Sequence, residues 1–359
     1  MTKRKTIMLL VTHRCNLRCS YCYEPKNTAH DMTVPQAKRY IEDVVQSLDE
    51  SYDDFEVQFM GGEPLLRFPF IKGVSEWLWN ESFPKPLAQV FAPTNGTLLN
   101  DEMKAWFSEN KERICLGLSF DGNRIMQDIN RSNSYANVDL DFFLTTWPNQ
   151  TVKMTLSPET LMMLYEGVTE LQLMGFKYLT ADLAMGMDIG WDTRHLSVLN
   201  EQLSRLSDFY LAHPEIPCMS MLNLDLSLVG QSNSETKRCG CGETLVCIDY
   251  DGKQYACHLF SPVTASKEQA LASQRLDFRD YTAFQSKMCK DCLLNPICNI
   301  CYGMNFLCNR DVTKQSPFFC HAFKIQFLAN CAFQYRRAET CGDNGEMEYI
   351  NQLIESINE

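Results

Sequence analysis

At 359 residues with 45% hydrophobic side chains, the chain is long enough for one large domain plus a smaller one, each with a real core. Its 33 basic and 45 acidic side chains give a formal charge of −12, which argues against nucleic acid as the main partner. No run approaches about eighteen apolar residues, so no membrane span is expected. The apolar stretch 6–11 is too short for a signal peptide, and a cytoplasmic protein is expected.

The predicted elements alternate between strand and helix for the first 210 or so residues. Residues 6–11 (Thr-Ile-Met-Leu-Leu-Val) read as a buried strand that runs directly into a cysteine loop. A helix over 34–48 follows, with Pro35 at its start. Then come a strand over 55–60, a helix over 68–79, a strand over 89–92 and a helix over 99–107. A strand over 114–120, a short helix over 140–147, a strand over 152–156 and a helix over 160–173 continue the pattern. A strand over 178–183 and a helix over 196–211 close it. Six such units suit right-handed parallel crossovers and fall short of a closed eight-fold barrel, so a partial (β/α)6 barrel of the α/β class is expected. Further on, 245–250 and 253–256 form a hairpin pattern about Asp251-Gly252.

In parallel α/β folds, sites form beyond the C-terminal ends of strands. Four polar loops fall there. Cys15-Asn-Leu-Arg-Cys19-Ser-Tyr-Cys22 follows the first strand and Gly61-Gly62-Glu63-Pro64 the second. Asn95-Gly96-Thr97 follows the third, and Ser119-Phe120-Asp121-Gly122 ends the fourth. Each has a plainer reading alone: Gly-Gly-Glu-Pro and Asn-Gly are ordinary turn sequences, and His13 is accounted for by capping a strand end. Their convergence on one rim is the stronger signal.

Seventeen cysteines without an export signal point to metal sites rather than disulfides. Three thiols at C-x3-C-x2-C can hold three irons of a cubane cluster, whereas ferredoxin-type clusters use four cysteines. The fourth iron then either borrows a distant ligand or is left open to a small molecule. Cys115, Cys218, Cys331 and Cys341 stand alone and read as buried structural thiols. Among the methionines, Met162 and Met163 read as core fillers, while Met185 and Met187 follow the sixth strand and are candidates to line a pocket. The run 323–335 is amphipathic and is expected to pack the C-terminal region onto the rest.

On these residues the chain resembles the radical S-adenosylmethionine (radical SAM) enzymes, with Cys15, Cys19 and Cys22 as the cluster motif. The resemblance implies that S-adenosylmethionine chelates the open iron and is cleaved by one electron to a 5′-deoxyadenosyl radical. An external donor of the flavodoxin or ferredoxin type would supply that electron. The resemblance also places Tyr21 near the adenine, Gly61, Gly62 and Glu63 near the methionyl amino group, and Asn95 on the cofactor rim. Ser119, Asp121, Asp128 and Arg131 resemble a stretch with ribose and carboxylate contacts.

The C-terminal third resembles the SPASM extension, a small cysteine-rich domain with two auxiliary [4Fe–4S] clusters. This implies domains at 1–225 and 226–359, the latter with a C-terminal helix, and three clusters in all. By resemblance Cys289, Cys292, Cys298 and Cys320 hold the distal auxiliary cluster. Cys239, Cys257 and Cys301 hold the proximal one, with Cys241 favoured over Cys247 as the fourth ligand. Cys301 falls one residue earlier than the pattern has it, where Tyr302 stands. Taken alone, the same spacings, Cys308 included, also suit structural zinc, and a zinc-binding or electron-transfer adaptor is the non-enzymatic alternative.

Such enzymes mostly modify peptides or proteins. In anaerobic sulfatase maturases an aspartate serves as base where this chain has His258, which counts against formylglycine formation while leaving His258 as a candidate base. The reading therefore favours a maturase of ribosomally made precursor peptides that forms a thioether or carbon–carbon cross-link, with epimerisation and sulfatase maturation as alternatives. With little chain before Cys15, leader recognition is expected from the chain's own surfaces or from a separate protein.

Overall fold

The computed structural model describes residues 3–24, 30–186, 189–231, 237 and 239–358, without the side chains of 357 and 358. In chain order the elements begin β1 (Arg4–Thr12), α1 (Val34–Gln46), β2 (Asp54–Gly61), α2 (Phe68–Asn80), β3 (Leu87–Thr94) and α3 (Asp101–Glu109). Next come β4 (Ile114–Leu118), α4 (Arg124–Asn130), α5 (Leu140–Thr146), β5 (Val152–Leu156), α6 (Leu164–Met174), β6 (Leu179–Leu183) and α7 (Arg194–Ala212). The rest are β7 (Leu245–Ile248), β8 (Gln254–Tyr255), α8 (Lys267–Ser273), α9 (Lys287–Lys290), α10 (Tyr302–Asn309), α11 (Pro317–Cys341) and α12 (Asn344–Asn358). No described helix is long and apolar enough to cross a membrane.

The chain divides into two compact units. The first comprises Met1–Phe120, Arg131–Gln150 and Cys239–Asp280. Its sheet runs β4-β3-β2-β1-β7-β8, with every neighbouring pair parallel except the β7–β8 hairpin. β1 lies inside the sheet, between β2 and β7, and is buried from Ile7 to Thr12. That is why it reads as a continuous apolar run rather than an alternating one. α1 starts on a capping box, with Thr33 and Gln36 bonding each other's backbone, and lays Ala37, Tyr40, Ile41, Val44 and Val45 inward.

In this unit α5 is tied to α3 through its N-cap. Asp139 accepts a hydrogen bond from Phe142 N at 3.1 Å as the N-cap of α5 and pairs with Lys104 of α3 at 2.6 Å. The hydrogen bond from Lys104 holds the Asp139 carboxyl below the usual carboxylate range, against its partial burial. Asp139→Ala should cost about 1 kcal/mol in chemical denaturation. Because the pKa is depressed, that difference is fully present above about pH 5 and vanishes as the pH falls through the depressed value.

The second unit comprises Asp121–Asn130, Thr151–Arg238 and Tyr281–Glu359. β5 and β6 form a two-stranded parallel sheet in it, so the predicted strands five and six pair with each other in a ladder of their own. α11 packs on α7 and α12 and contributes Phe323, Phe327 and Cys331 to a core with Leu226, Leu294, Ile297 and Ile350.

Two expectations about single side chains need correction. Cys341, the last residue of α11, is exposed rather than buried, whereas Cys115 and Cys331 are buried and burial pushes both thiols up to about 12. Met162 is 65% exposed, because a 3-10 turn over Leu161–Met163 precedes α6 and only Leu161 of that turn points inward. Met187 lies outside the described residues.

Candidate active site

The loop that carries Cys15, Cys19 and Cys22 is held mainly through backbone. Beyond β1 the chain meets the end of β2 at very close range: Gly62 N donates to Thr12 O at 3.1 Å and Glu63 N to Arg14 O at 2.8 Å. A Cβ on Gly62 would lie 2.3 Å from Arg14 O and 2.9 Å from Cys15 Cβ. On Gly61, whose φ is +148°, it would lie 2.1 Å from Thr12 O. The glycine pair is therefore a requirement of backbone approach. Within the loop, Leu17 N lies 3.4 Å from Cys15 Sγ, and Cys22 N donates to Cys19 O at 3.1 Å. All three thiols are partly exposed.

The Glu63 side chain faces the other way and is 1% exposed. Its Oε1 accepts from Thr94 Oγ1 at 2.8 Å and from Leu65 N at 3.0 Å, and its Oε2 accepts from Asn95 N at 2.8 Å. Burial pushes its carboxyl up, opposed by those donors and by the charge of Arg131. Glu63 thus ties the loop after β2 to the end of β3. Asn95 continues the tie, with Nδ2 donating to Asn16 Oδ1 at 3.0 Å, while Asn16 Nδ2 donates to Thr97 Oγ1 at 2.8 Å. Replacing Glu63 by Gln turns an amide N–H toward a donor; thermal unfolding should show a loss of about 2 kcal/mol.

Arg131 and Ser132 bring the segment after α4 to the same loop: Ser132 Oγ accepts from Arg18 N at 2.9 Å, and the Arg131 guanidinium stands 5.5 Å over the Tyr21 ring. Ser119 N donates to Thr94 O at 2.9 Å, which keeps Ser119 at the end of β4 beside the Asn95 turn. In the first unit, then, Cys15–Cys22, Gly61–Glu63, Asn95, Ser119 and Arg131 meet at the C-terminal ends of β1 to β4. Asp121 and Asp128 belong to the second unit. Buried Asp121 accepts from Thr155 N at 2.8 Å and from Asn130 Nδ2 at 3.2 Å, and Asp128 lies 3.7 Å from Arg124.

Some neighbours had no sequence signal. His13 is buried, with Nε2 2.7 Å from Asp249 Oδ1, and it meets the rings of His30 and Tyr250 edge-on. The pair joins the cysteine loop to the turn after β7, 236 residues away in sequence. Asp31 gathers Thr12, Arg14 and Arg67. Burial opposes its charge, yet the Thr12 hydroxyl and the two guanidiniums hold its carboxyl below the usual range.

His258 sits in the same unit, its Nε2 2.8 Å from the Tyr23 hydroxyl and its Nδ1 buried without a partner. Burial pushes its pKa down to about 4, so the imidazole is neutral at pH 7. Cys239 and Cys241 bring their sulfurs to 3.3 Å. Cys247 is wholly buried in β7, where burial first, and then neighbouring Cys257 and Asp249, raise its thiol well above the usual value. In the second unit, burial raises the Cys320 thiol, reinforced by neighbouring Cys292 and Cys289 against Lys324. Cys298 follows the 3-10 turn Asn295–Ile297, and Cys301 caps α10. Among the described residues, no three His, Cys, Asp or Glu side chains converge as around a single ion.

A hollow of about 440 Å3 opens at the opposite ends of β3 and β4, lined by Lys85, Lys111 and Arg113. None of the motif loops reaches it.

Residues 9–139 match the sequence profile of the Radical SAM superfamily, and this part of the chain is a radical SAM domain. A curated relative, an uncharacterized protein of Methanocaldococcus jannaschii, is 36% identical over 121 residues, 34% of this chain and 40% of that protein. The chain thus spans less than half the length of the first curated relatives it matches. In fold, it is similar to native anSMEcpe with bound AdoMet and Cp18Cys peptide, with a TM-score of 0.69 at 18% identity over 95% of this chain and 99% of the other. It is also similar to Streptococcus suis SuiB bound to precursor peptide SuiA, with a TM-score of 0.58 at 15% identity over 89% and 76% of the two chains. The fold of these two structures is therefore shared along most of the chain.

Proposed function

We propose that this protein is a radical SAM maturase that takes a hydrogen from a ribosomally made precursor peptide and forms an intrapeptide thioether or carbon–carbon cross-link. The observation that carries this reading is the three-thiol loop clasped by Gly61 and Gly62. Three partly exposed thiols in a fixed loop fit a cubane cluster with one open iron, and the glycine pair sets that loop close against the end of β2. The peptide substrate is carried over from the two structural neighbours, each of which is bound to a peptide.

In this reading residues 1–225 form the radical SAM part and 226–359 the auxiliary-cluster part. Cys15, Cys19 and Cys22 hold the first cluster. Cys289, Cys292, Cys298 and Cys320 hold the second, and Cys239, Cys241, Cys257 and Cys301 the third. The nearness of Cys292 and Cys289 to Cys320 supports the second set, and the approach of the Cys241 sulfur to that of Cys239 favours Cys241 over Cys247 in the third. When bound, these groups supply one-electron cleavage of S-adenosylmethionine, a hydrogen-abstracting radical and an acceptor for the second electron of a cross-link. The chain's own residues do the positioning: Glu63 fixes the β2 and β3 loops against each other, Asn95 and Asn16 brace the cysteine loop, and Arg131 fixes Tyr21. A flavodoxin- or ferredoxin-type donor delivers the first electron in the cytoplasm, and the leader is read by the chain's own surfaces or a separate protein.

A second reading, formylglycine formation on a sulfatase, is favoured by one feature: His258 stands where the sulfatase maturases have their base, and its Nδ1 has no hydrogen-bond partner, although burial makes it a weak proton acceptor. The test is anaerobic reconstitution with S-adenosylmethionine and a reductant, followed by mass spectrometry of a short peptide encoded beside the gene and co-expressed with it. Loss of two hydrogens is the expected result. Unchanged mass with deuterium uptake from heavy water would assign epimerisation, and conversion of a sulfatase cysteine or serine to formylglycine would select the second reading. A colourless zinc protein that yields no 5′-deoxyadenosine would end both.

A further inference from the structure

Charge is unevenly spread along the chain. Residues 281–335, which hold the cysteine run assigned above to the second cluster, carry five basic and two acidic side chains in a protein of net charge −12. The two carboxylates are those of Asp291 and Asp311. The whole stretch belongs to the second unit.

Three of the lysines stand at the cysteines themselves. Lys287 and Lys290 flank Cys289 on α9, one turn apart and both exposed. Lys324, also exposed, follows Cys320 by one turn of α11; burial raises the Cys320 thiol and the Lys324 charge lowers it. Cys292 and Cys289 act on that same thiol, so the three lysines border one group of sulfurs. None of the three is ion-paired among the described residues, which leaves their charge open to a partner. Apolar side chains lie among them. Met288, between Lys287 and Cys289, is 85% exposed, and Leu293 and Leu328, beside Cys292 and one turn beyond Lys324, are open as well. A flexible thioether set among lysines suits a transient contact rather than a sealed interface. Cys289, Cys292, Cys298 and Cys320 are themselves partly exposed, so a cluster held by them lies near the surface that carries the lysines.

We propose that Lys287, Lys290 and Lys324, with Met288 among them, form the docking surface for an acidic one-electron carrier protein that draws an electron from the second cluster. The inference rests on the reading above, in which the auxiliary clusters accept the second electron of a cross-link. One electron then leaves the reduced cluster, which is oxidised, and reduces the oxidised carrier; no bond forms or breaks. Electron transfer slows steeply with distance, so a docking face belongs where cluster ligands reach the surface. A patch this small is enough, because electron-transfer encounters bury less than about 1,200 Å2 and depend on charge steering. The lysines alone would also suit an acidic leader peptide; the partly exposed cluster thiols favour the carrier.

The experiment uses the full chain, reconstituted anaerobically with iron and sulfide, and an oxidised plant-type [2Fe–2S] ferredoxin, an acidic carrier, as probe. Binding is followed by isothermal titration calorimetry. Saturable binding is expected at about 50 mM salt, weakened at least about fivefold at about 300 mM as the Debye length shortens. Lys287→Glu/Lys290→Glu should weaken it about tenfold and Lys324→Glu about threefold. Lys111→Glu/Lys267→Glu makes the same change in net charge on exposed sites of the first unit and should stay within a factor of about two. Iron is measured on every sample, and Lys324→Glu, away from α9, keeps the test readable if the double variant assembles clusters poorly. Stopped-flow mixing of the reduced chain with ferredoxin should show carrier reduction slowed by the same factors. Absent binding, binding indifferent to salt, or equal losses in the control pair would overturn the inference. Displacement of the ferredoxin by hexaglutamate at matched concentration would assign the face to an acidic leader instead. A dimer in light scattering that Lys287→Glu/Lys290→Glu dissolves would assign it to a second copy of the chain. 5′-Deoxyadenosine formed from S-adenosylmethionine is measured in parallel. Its absence ends the radical reading, while the titration still decides the surface.

Discussion

Replacing Cys15, Cys19 and Cys22 together by alanine is expected to lower bound iron from roughly twelve to about eight per chain. The same change should abolish 5′-deoxyadenosine formation while leaving a folded protein. The loop's contacts explain why the fold should survive. Its anchors are the Thr12, Arg14 and Arg18 main chain and the Asn16 amide, and none of these bonds passes through a thiol. Removing three sulfurs takes away ligands without removing the clasp. Iron analysis, visible absorbance and product assay on the same sample read the three effects separately. Undiminished iron, or product still formed, would place the chemistry elsewhere.

Gly62→Ala should be nearly as damaging through one added carbon. That carbon would stand 2.3 Å from Arg14 O and 2.6 Å from Arg14 C, both main-chain atoms that cannot swing aside. Relief requires the cysteine loop to separate from β2, breaking the Glu63 N to Arg14 O bond and disturbing the braces built on Glu63. We expect 5′-deoxyadenosine formation to fall at least about 100-fold, the scale of an ångström-sized misplacement at a reacting centre. Gly73→Ala is the matched control. Its Cβ would meet Val34 Cγ2 at an ordinary 3.7 Å inside α2, so helix propensity should add up to about 1 kcal/mol of stability with activity unchanged. Equal activity of the two variants would refute the clasp.

The β/α alternation was legible because β1 is buried on both faces and the helices carry ordinary start signals, such as Thr33 before Pro35 and Asn100 before Asp101. The ends of β5 match the sequence reading, and those of β1, β2, β3 and β6 lie within two residues of it. The rim of loops was legible for the same reason: parallel strands put their C-terminal ends together, and cysteine spacing and Gly-Gly mark those ends. α4 went unread because its seven residues include only three that are buried, two of them polar. The ladder partners of β1 were not legible either, since nothing local says that β7 lies beside it. For the same reason His13 read as a strand cap, although its partner Asp249 arrives with that distant strand.

The place of β7 beside β1 also bears on how the protein is made. During synthesis, β1 to β4 can pair with one another as soon as about 120 residues have emerged, but the far side of β1 waits for residues 245–248. Until then an apolar strand keeps a bare edge, open to pairing with another nascent chain. The Asp249 carboxylate that will meet His13 does not yet exist. The buried His13 anchor of the first loop thus forms only with a segment made more than two hundred residues later. A ribosome stalled between residues 120 and 240 would present the cysteine loop on a sheet that is still half sticky.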